Sequence, residues 1–194
     1  MTAVDATPDP RPHLSAALDQ TEHQINAMGN ADLGLPTPCA EYDLRTLLDH
    51  LVAVLRKLTS LGNGEGMAHV TDPADDHADH WGDTFRSARA ELEQVWKPDS
   101  ALGKNYTLPW AMLTGHELLE AYTHEFTVHA WDLSRVTGRG NDLDPVLAEA
   151  ALDWFTRNLT AEDRSEGGPF APAVAVADDA DVYLRLAAYV GRPV

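Results

Sequence analysis

Residues 115–138, GHELLEAYTHEFTVHAWDLSRVTG, decide the fold. The stretch reads as one long amphipathic helix. Thr114 can cap it, Glu117 three residues on completes a capping box, and Gly138 ends it. Near the middle, Glu125 and His129 stand four residues apart, so both side chains leave from one face. Such a pair is either half of a metal site or a surface pair worth a few tenths of a kcal/mol. Spacing alone does not separate the two.

Working outward, the chain offers more helices and little else. Residues 1–12 are rich in Pro and Asp and read as a disordered lead-in to one domain spanning 13–194. A first helix is expected over about His13 to Met28, on the stripe Leu14, Leu18, Ile25, Met28. After a loop with two prolines, a second should run from about Leu44 to Leu61, with Asp43 as N-cap. Leu44, Leu47, Leu48, Leu51, Leu55 and Leu58 share one of its faces. His50 falls roughly 100° from the centre of that stripe, at the edge of the core. A third helix is expected over about Asp75 to Trp96, where Trp81, Phe85, Ala88, Leu92 and Val95 keep bundle spacing. Residues 101–114 read as an extended connection with a short strand. Asp144-Pro145 should open a fifth helix running to about Leu159, with cap and first-turn proline in the favoured order. A short last helix, Val182 to Val190, stops at Gly191. Four main helices, a crossover loop and small additions imply an all-α bundle.

Charge excludes several function classes. Against 14 Lys and Arg stand 31 Asp and Glu, a net charge of -17. Such a polyanion repels nucleic-acid phosphates and anionic membranes, so neither is an expected partner. No run of 18 apolar residues occurs, and MTAVDATPDPRPH lacks the basic start and apolar core of a signal peptide. With Cys39 as the one cysteine, no internal disulfide can form. A cytoplasmic location is the expectation.

His50, Glu125 and His129 together would give two histidines, one carboxylate and an open position, a donor set suited to Zn, Ni or Fe(II). Tyr122 and Asp132 lie within about 60° of the same helical face and could support a metal or line a cofactor pocket. Rivals exist. Asp76, His77 and His80 cluster at the start of the third helix, and His116 with Glu120, and Glu120 with His124, also have four-residue spacing. Cys39 precedes the second helix, where its pKa would fall, although a buried small hydrophobe is the simpler reading. No GxSxG, Walker loop or dinucleotide fingerprint is found.

At these residues the chain resembles a known superfamily. TPCAEYDLRTLLDHLV (37–52) resembles the TPC-x-x-W/Y-D-x-x-x-L-x-x-H segment of DinB/YfiT-like proteins. HEFTVHAWDLSRVTG (124–138) resembles their E-x-x-x-H-x-W-D-L-A-x-x-T-G segment. GGPFAPAVAVADDADVYLRLAAYVGRPV (167–194) is similar to the tail of single-domain relatives of the mycothiol-dependent maleylpyruvate isomerase metal-binding domain. The resemblance implies a DinB-like four-helix bundle holding a divalent metal, zinc first with nickel or iron as alternatives, on His50, Glu125 and His129. It further implies mycothiol or a similar small thiol as cofactor and an electrophilic small molecule as substrate. His124 stands where the pattern has an apolar residue, which leaves open the residue of that turn that ligates. The isomerase itself carries a further domain, so isomerisation of maleylpyruvate as such is not expected. The reading is a metal-dependent thiol S-transferase, with a homodimer allowed for. The alternatives are a non-catalytic metal-binding or structural module and a metal-assisted hydrolase.

Overall fold

The computed structural model describes residues 8–74, 80–109, 111–160, 162–165 and 170–194. The structure is mostly helical. α1 (Arg11–Ala27), α2 (Leu44–Asn63), α3 (Trp81–Val95) and α5 (Gly115–Thr137) form the bundle. Between α3 and α5 lie the one-turn α4 (Asp99–Leu102) and a hairpin of β1 (Asn105–Thr107) and β2 (Met112–Thr114). The strands are antiparallel, with Tyr106 opposite Leu113. A 3-10 turn (Gly140–Asp142) leads to α6 (Pro145–Asn158), and α7 (Val182–Tyr189) closes the chain.

Local chemistry sets the helix ends. Asp43 accepts from Thr46 N at 2.8 Å and so starts α2. Thr114 and Glu117 exchange both bonds of the capping box at the start of α5. Gly138, with φ 71°, ends that helix in the left-handed conformation a side chain would resist. Asp144 caps α6, with Pro145 in its first turn. Helix α1 begins at Arg11, two residues earlier than read, because Pro12 sits in the first turn, where its missing N–H is not needed. Helix α3 begins at Trp81; residues 75–79 of the expected third helix, with Asp76 and His77, lie outside the described residues, as do residues 1–7 of the expected lead-in.

α5 corrects the reading of an amphipathic helix, because it is central. Leu118, Leu119, Tyr122, Phe126 and Leu133 join α1, α2 and α3 in one core. Val128, Ala130 and Trp131 join a second core with Ala148, Ala151 and Phe155 of α6 and Tyr183, Leu186 and Ala187 of α7. A helix covered on two sides buries polar residues too, and Thr123, His124, Thr127, His129, Asp132 and Ser134 are all buried. Thr123 and Thr127 meet this by donating to carbonyls one turn back, at 2.7 and 2.8 Å. The helix enters close to its neighbours: a Cβ at Gly115 would collide with the Ala101 carbonyl oxygen. No helix among the described residues is long and apolar enough to cross a membrane.

Candidate metal centre

The centre lies where α2 meets α5. His50 is held by the leucine face of α2, which is anchored in the core and leaves the imidazole at its edge, 8% exposed. Glu125 and His129 come from the facing turns of α5. One ligand atom of each of His50, Glu125 and His129 lies within 4.8 Å of the other two, the one such group among the described residues. The imidazoles of His50 and His129 meet edge to face at 5.1 Å. His50 Nε2 and Glu125 Oε1 are 3.1 Å apart.

Each histidine has a carboxylate behind it, and each carboxylate has a cation behind it. His50 Nδ1 stands 2.8 Å from Asp72 Oδ1, while Lys57 Nζ donates to Asp72 Oδ2 at 2.7 Å. His129 Nδ1 stands 2.9 Å from Asp132 Oδ2, while Arg192 Nε and Nη2 each donate to Asp132 at 3.1 Å. Because Nδ1 of each ring faces a carboxylate, Nε2 is the nitrogen left for a metal, as in metal-ligating histidines; on His50 the metal would displace the proton held between Nε2 and Glu125. The arrangement thus suits a divalent cation: two oriented nitrogens, one carboxylate, and the remaining coordination open to a small ligand.

Burial and charge treat the two rings differently. Burial opposes charge on His50, but Asp72 and Glu125 outweigh it and raise its pKa to about 9. Burial pushes the pKa of His129 down, more than Asp132 lifts it. Asp72 is itself desolvated, yet His50 and Lys57 hold its carboxyl below the usual range. Tyr42 packs its ring 5.1 Å from that of His50, and burial, with Asp72 and other acids near, pushes its phenol up to about 12. Tyr122 is buried, and desolvation beside Glu125 and Asp72 raises its phenol far above the ordinary value.

Of the residues singled out in the sequence, His50, Glu125, His129 and Asp132 come together, with Tyr122 near Glu125. His124 turns away. It is buried against Trp154 and Phe155 of α6, with ring centroids 5.2 and 6.3 Å distant, and neither ring nitrogen has a hydrogen-bond partner. His116 binds the Pro8 carbonyl oxygen at 2.7 Å, and His80 sits at the start of α3. Cys39 is buried, the simpler of its two readings, and desolvation raises its pKa where the other reading had it fall. Asp72, Lys57, Tyr42 and Arg192 were missed. Tyr42 and Arg192 stood inside the quoted motifs; Asp72 lies in a loop and carried no periodic signal.

The family model for the mycothiol maleylpyruvate isomerase N-terminal domain matches residues 14–134. An uncharacterized protein of Mycobacterium tuberculosis, found in two strains, is 28% identical over 164 residues, covering 84% of this chain and 86% of that protein. No solved structure matches the chain. With most of its bundle matched, the chain belongs to the mycothiol maleylpyruvate isomerase N-terminal domain family, of DinB-like fold.

Proposed function

We propose that this protein binds one divalent metal ion, zinc by preference, through Nε2 of His50, Nε2 of His129 and the carboxylate of Glu125. The observation that carries the reading is the pair of oriented histidines: both Nδ1 atoms face carboxylates, which leaves both Nε2 atoms to ligate a metal beside Glu125, with the His50 proton displaced on binding. A divalent ion bound there lowers the pKa of a coordinating thiol and so supplies a thiolate at neutral pH.

The proposed activity is transfer of a small thiol of the mycothiol class to an electrophilic carbon, where the new carbon–sulfur bond replaces the bond to a leaving group that departs with its electron pair and takes up the thiol proton, or its reversible addition to an activated double bond. In the addition, the sulfur forms a bond to one carbon and the proton lost by the thiol ends on the other. Asp72 and Asp132 keep the two imidazoles in the ligating tautomer. Tyr122, buried, and Tyr42, half-buried with its ring against that of His50, flank the site.

Elemental analysis and cobalt spectroscopy test this. About one metal per chain is expected, lost in His50→Ala and in His129→Ala. Adding mycothiol to the cobalt-loaded protein should bring up a sulfur-to-cobalt charge-transfer band. Metal uptake indifferent to both substitutions would sink the site. Metal uptake with no thiol response would leave a binding module without this chemistry.

A further inference from the structure

The family match ends at residue 134, yet the cation behind His129 comes from residue 192. The chain reaches back by a specific turn. Two residues past the end of α7 stands Gly191, φ 85°, with Gly191 N donating to Ala188 O at 3.1 Å and Arg192 N to Ala187 O at 2.8 Å. That is the left-handed closing turn that reverses a chain at a helix end. A Cβ at Gly191 would also collide with the backbone and side chain of Ala171. The turn aims Arg192 at α5, where its side chain is 11% exposed and lies along Asp132, which is 0% exposed. Nε meets both carboxylate oxygens, at 3.1 and 3.3 Å, and Nη2 meets Oδ2 at 3.1 Å. The same Oδ2 faces His129 Nδ1 at 2.9 Å. A carboxylate wholly removed from water is strongly disfavoured without a cation. Arg192 therefore fixes the Asp132 carboxyl group in place behind His129.

We propose that Arg192 is a positioning residue for the metal centre, and that through the Arg192–Asp132–His129 chain the C-terminal segment from α7 to Arg192 is coupled to metal binding. The inference rests on the reading that His50, Glu125 and His129 hold a divalent ion. Coupling of this kind acts both ways. Metal at His129 tightens the segment, and loosening the segment weakens the metal.

The test uses the full chain, titrated with Zn2+ against a chelator and with Co2+ by spectroscopy, as wild type, Arg192→Met and Arg192→Lys. Met keeps the stem and removes the fork; Lys restores the charge without it. Zinc affinity should fall about 10–100-fold in Arg192→Met and recover in part in Arg192→Lys. The cobalt bands should shift in Arg192→Met. In wild type, hydrogen exchange of the amides of residues 182–192 should slow when Zn2+ is added. A merely structural role would lower the melting temperature of Arg192→Met and leave zinc affinity and cobalt bands unchanged; that result overturns the proposal while leaving the metal site standing. Unchanged exchange at 182–192 on zinc addition to wild type overturns it whether or not the variants fold. A wild-type chain that takes up no Zn2+ overturns the metal site itself and this inference with it.

Discussion

His50 Nδ1 lies 2.8 Å from Asp72 Oδ1, across 22 residues of chain, and that contact decides which nitrogen of His50 faces α5. The loop after α2 returns to place Asp72 there, and Lys57 on α2 holds its other oxygen at 2.7 Å. Removing the acceptor frees the ring to rotate or to change tautomer. Asp72→Ala is predicted to weaken zinc binding about 10–100-fold, with a smaller loss in Lys57→Met, which acts one bond further back. Chelator competition on the two variants checks this. Wild-type affinity in Asp72→Ala would show that His50 needs no orienting partner.

His124 presents the opposite situation, a buried imidazole with no partner. Burial first, and the charges of Arg157 and His13 next, lower its pKa to about 4. The unfolded chain binds that proton near the ordinary 6.5, so between these values the unfolded state holds more protons and stability falls as pH falls. The contribution is fully present above about pH 6.5, and about 2 kcal/mol of it is gone by pH 5. His124→Leu removes both the unpaired nitrogens and the titration. It is predicted to stabilise the fold by about 1 kcal/mol at pH 7.5, with a gain that widens toward pH 5. Urea unfolding at the two pH values measures the gain; a constant difference between them would rule out His124 as the cause.

Gly191 is predicted to be intolerant of a side chain. It combines φ 85° with a site where a Cβ would strike Ala171. Gly191→Ala should cost about 1–3 kcal/mol, beyond the usual helix-end penalty, and should unseat Arg192. Thermal unfolding gives the first effect and zinc affinity the second. A variant as stable as wild type would mean that the turn relaxes freely.

The capping box at the head of α5 offers a cleaner measure of helix stability, remote from the metal ligands. Thr114 Oγ1 accepts from Glu117 N at 3.2 Å, and Glu117 Oε2 accepts from Thr114 N at 2.8 Å. Thr114→Ala should lose about 1 kcal/mol with zinc affinity unchanged. Denaturant midpoints and a zinc titration report the two quantities separately. Loss of metal binding in this variant would show that the site senses the helix start.

Sequence alone determined the local features of this protein. The leucine period of α2, the caps at Asp43, Thr114 and Asp144, and the stop at Gly138 depend on residues within one or two turns, so they are legible in order along the chain. The Glu125–His129 pair is of the same kind. Even His50 was placed at a core edge by its angle from the leucine stripe. Tertiary structure decided the rest. That α5 is buried on two sides, and is not a surface helix, depends on α6 and α7 packing where α1 to α3 do not. That His124 faces Trp154 while His129 faces His50 follows from the roughly 140° between them on the helix together with the two cores that flank it. Asp72 and Arg192 left no periodic trace, because their roles come from a loop and a helix-ending turn that bring residues 22 and 60 positions away onto the histidine and its carboxylate. Hydrogen bonds between distant segments have no spacing rule, and only the packed chain shows them.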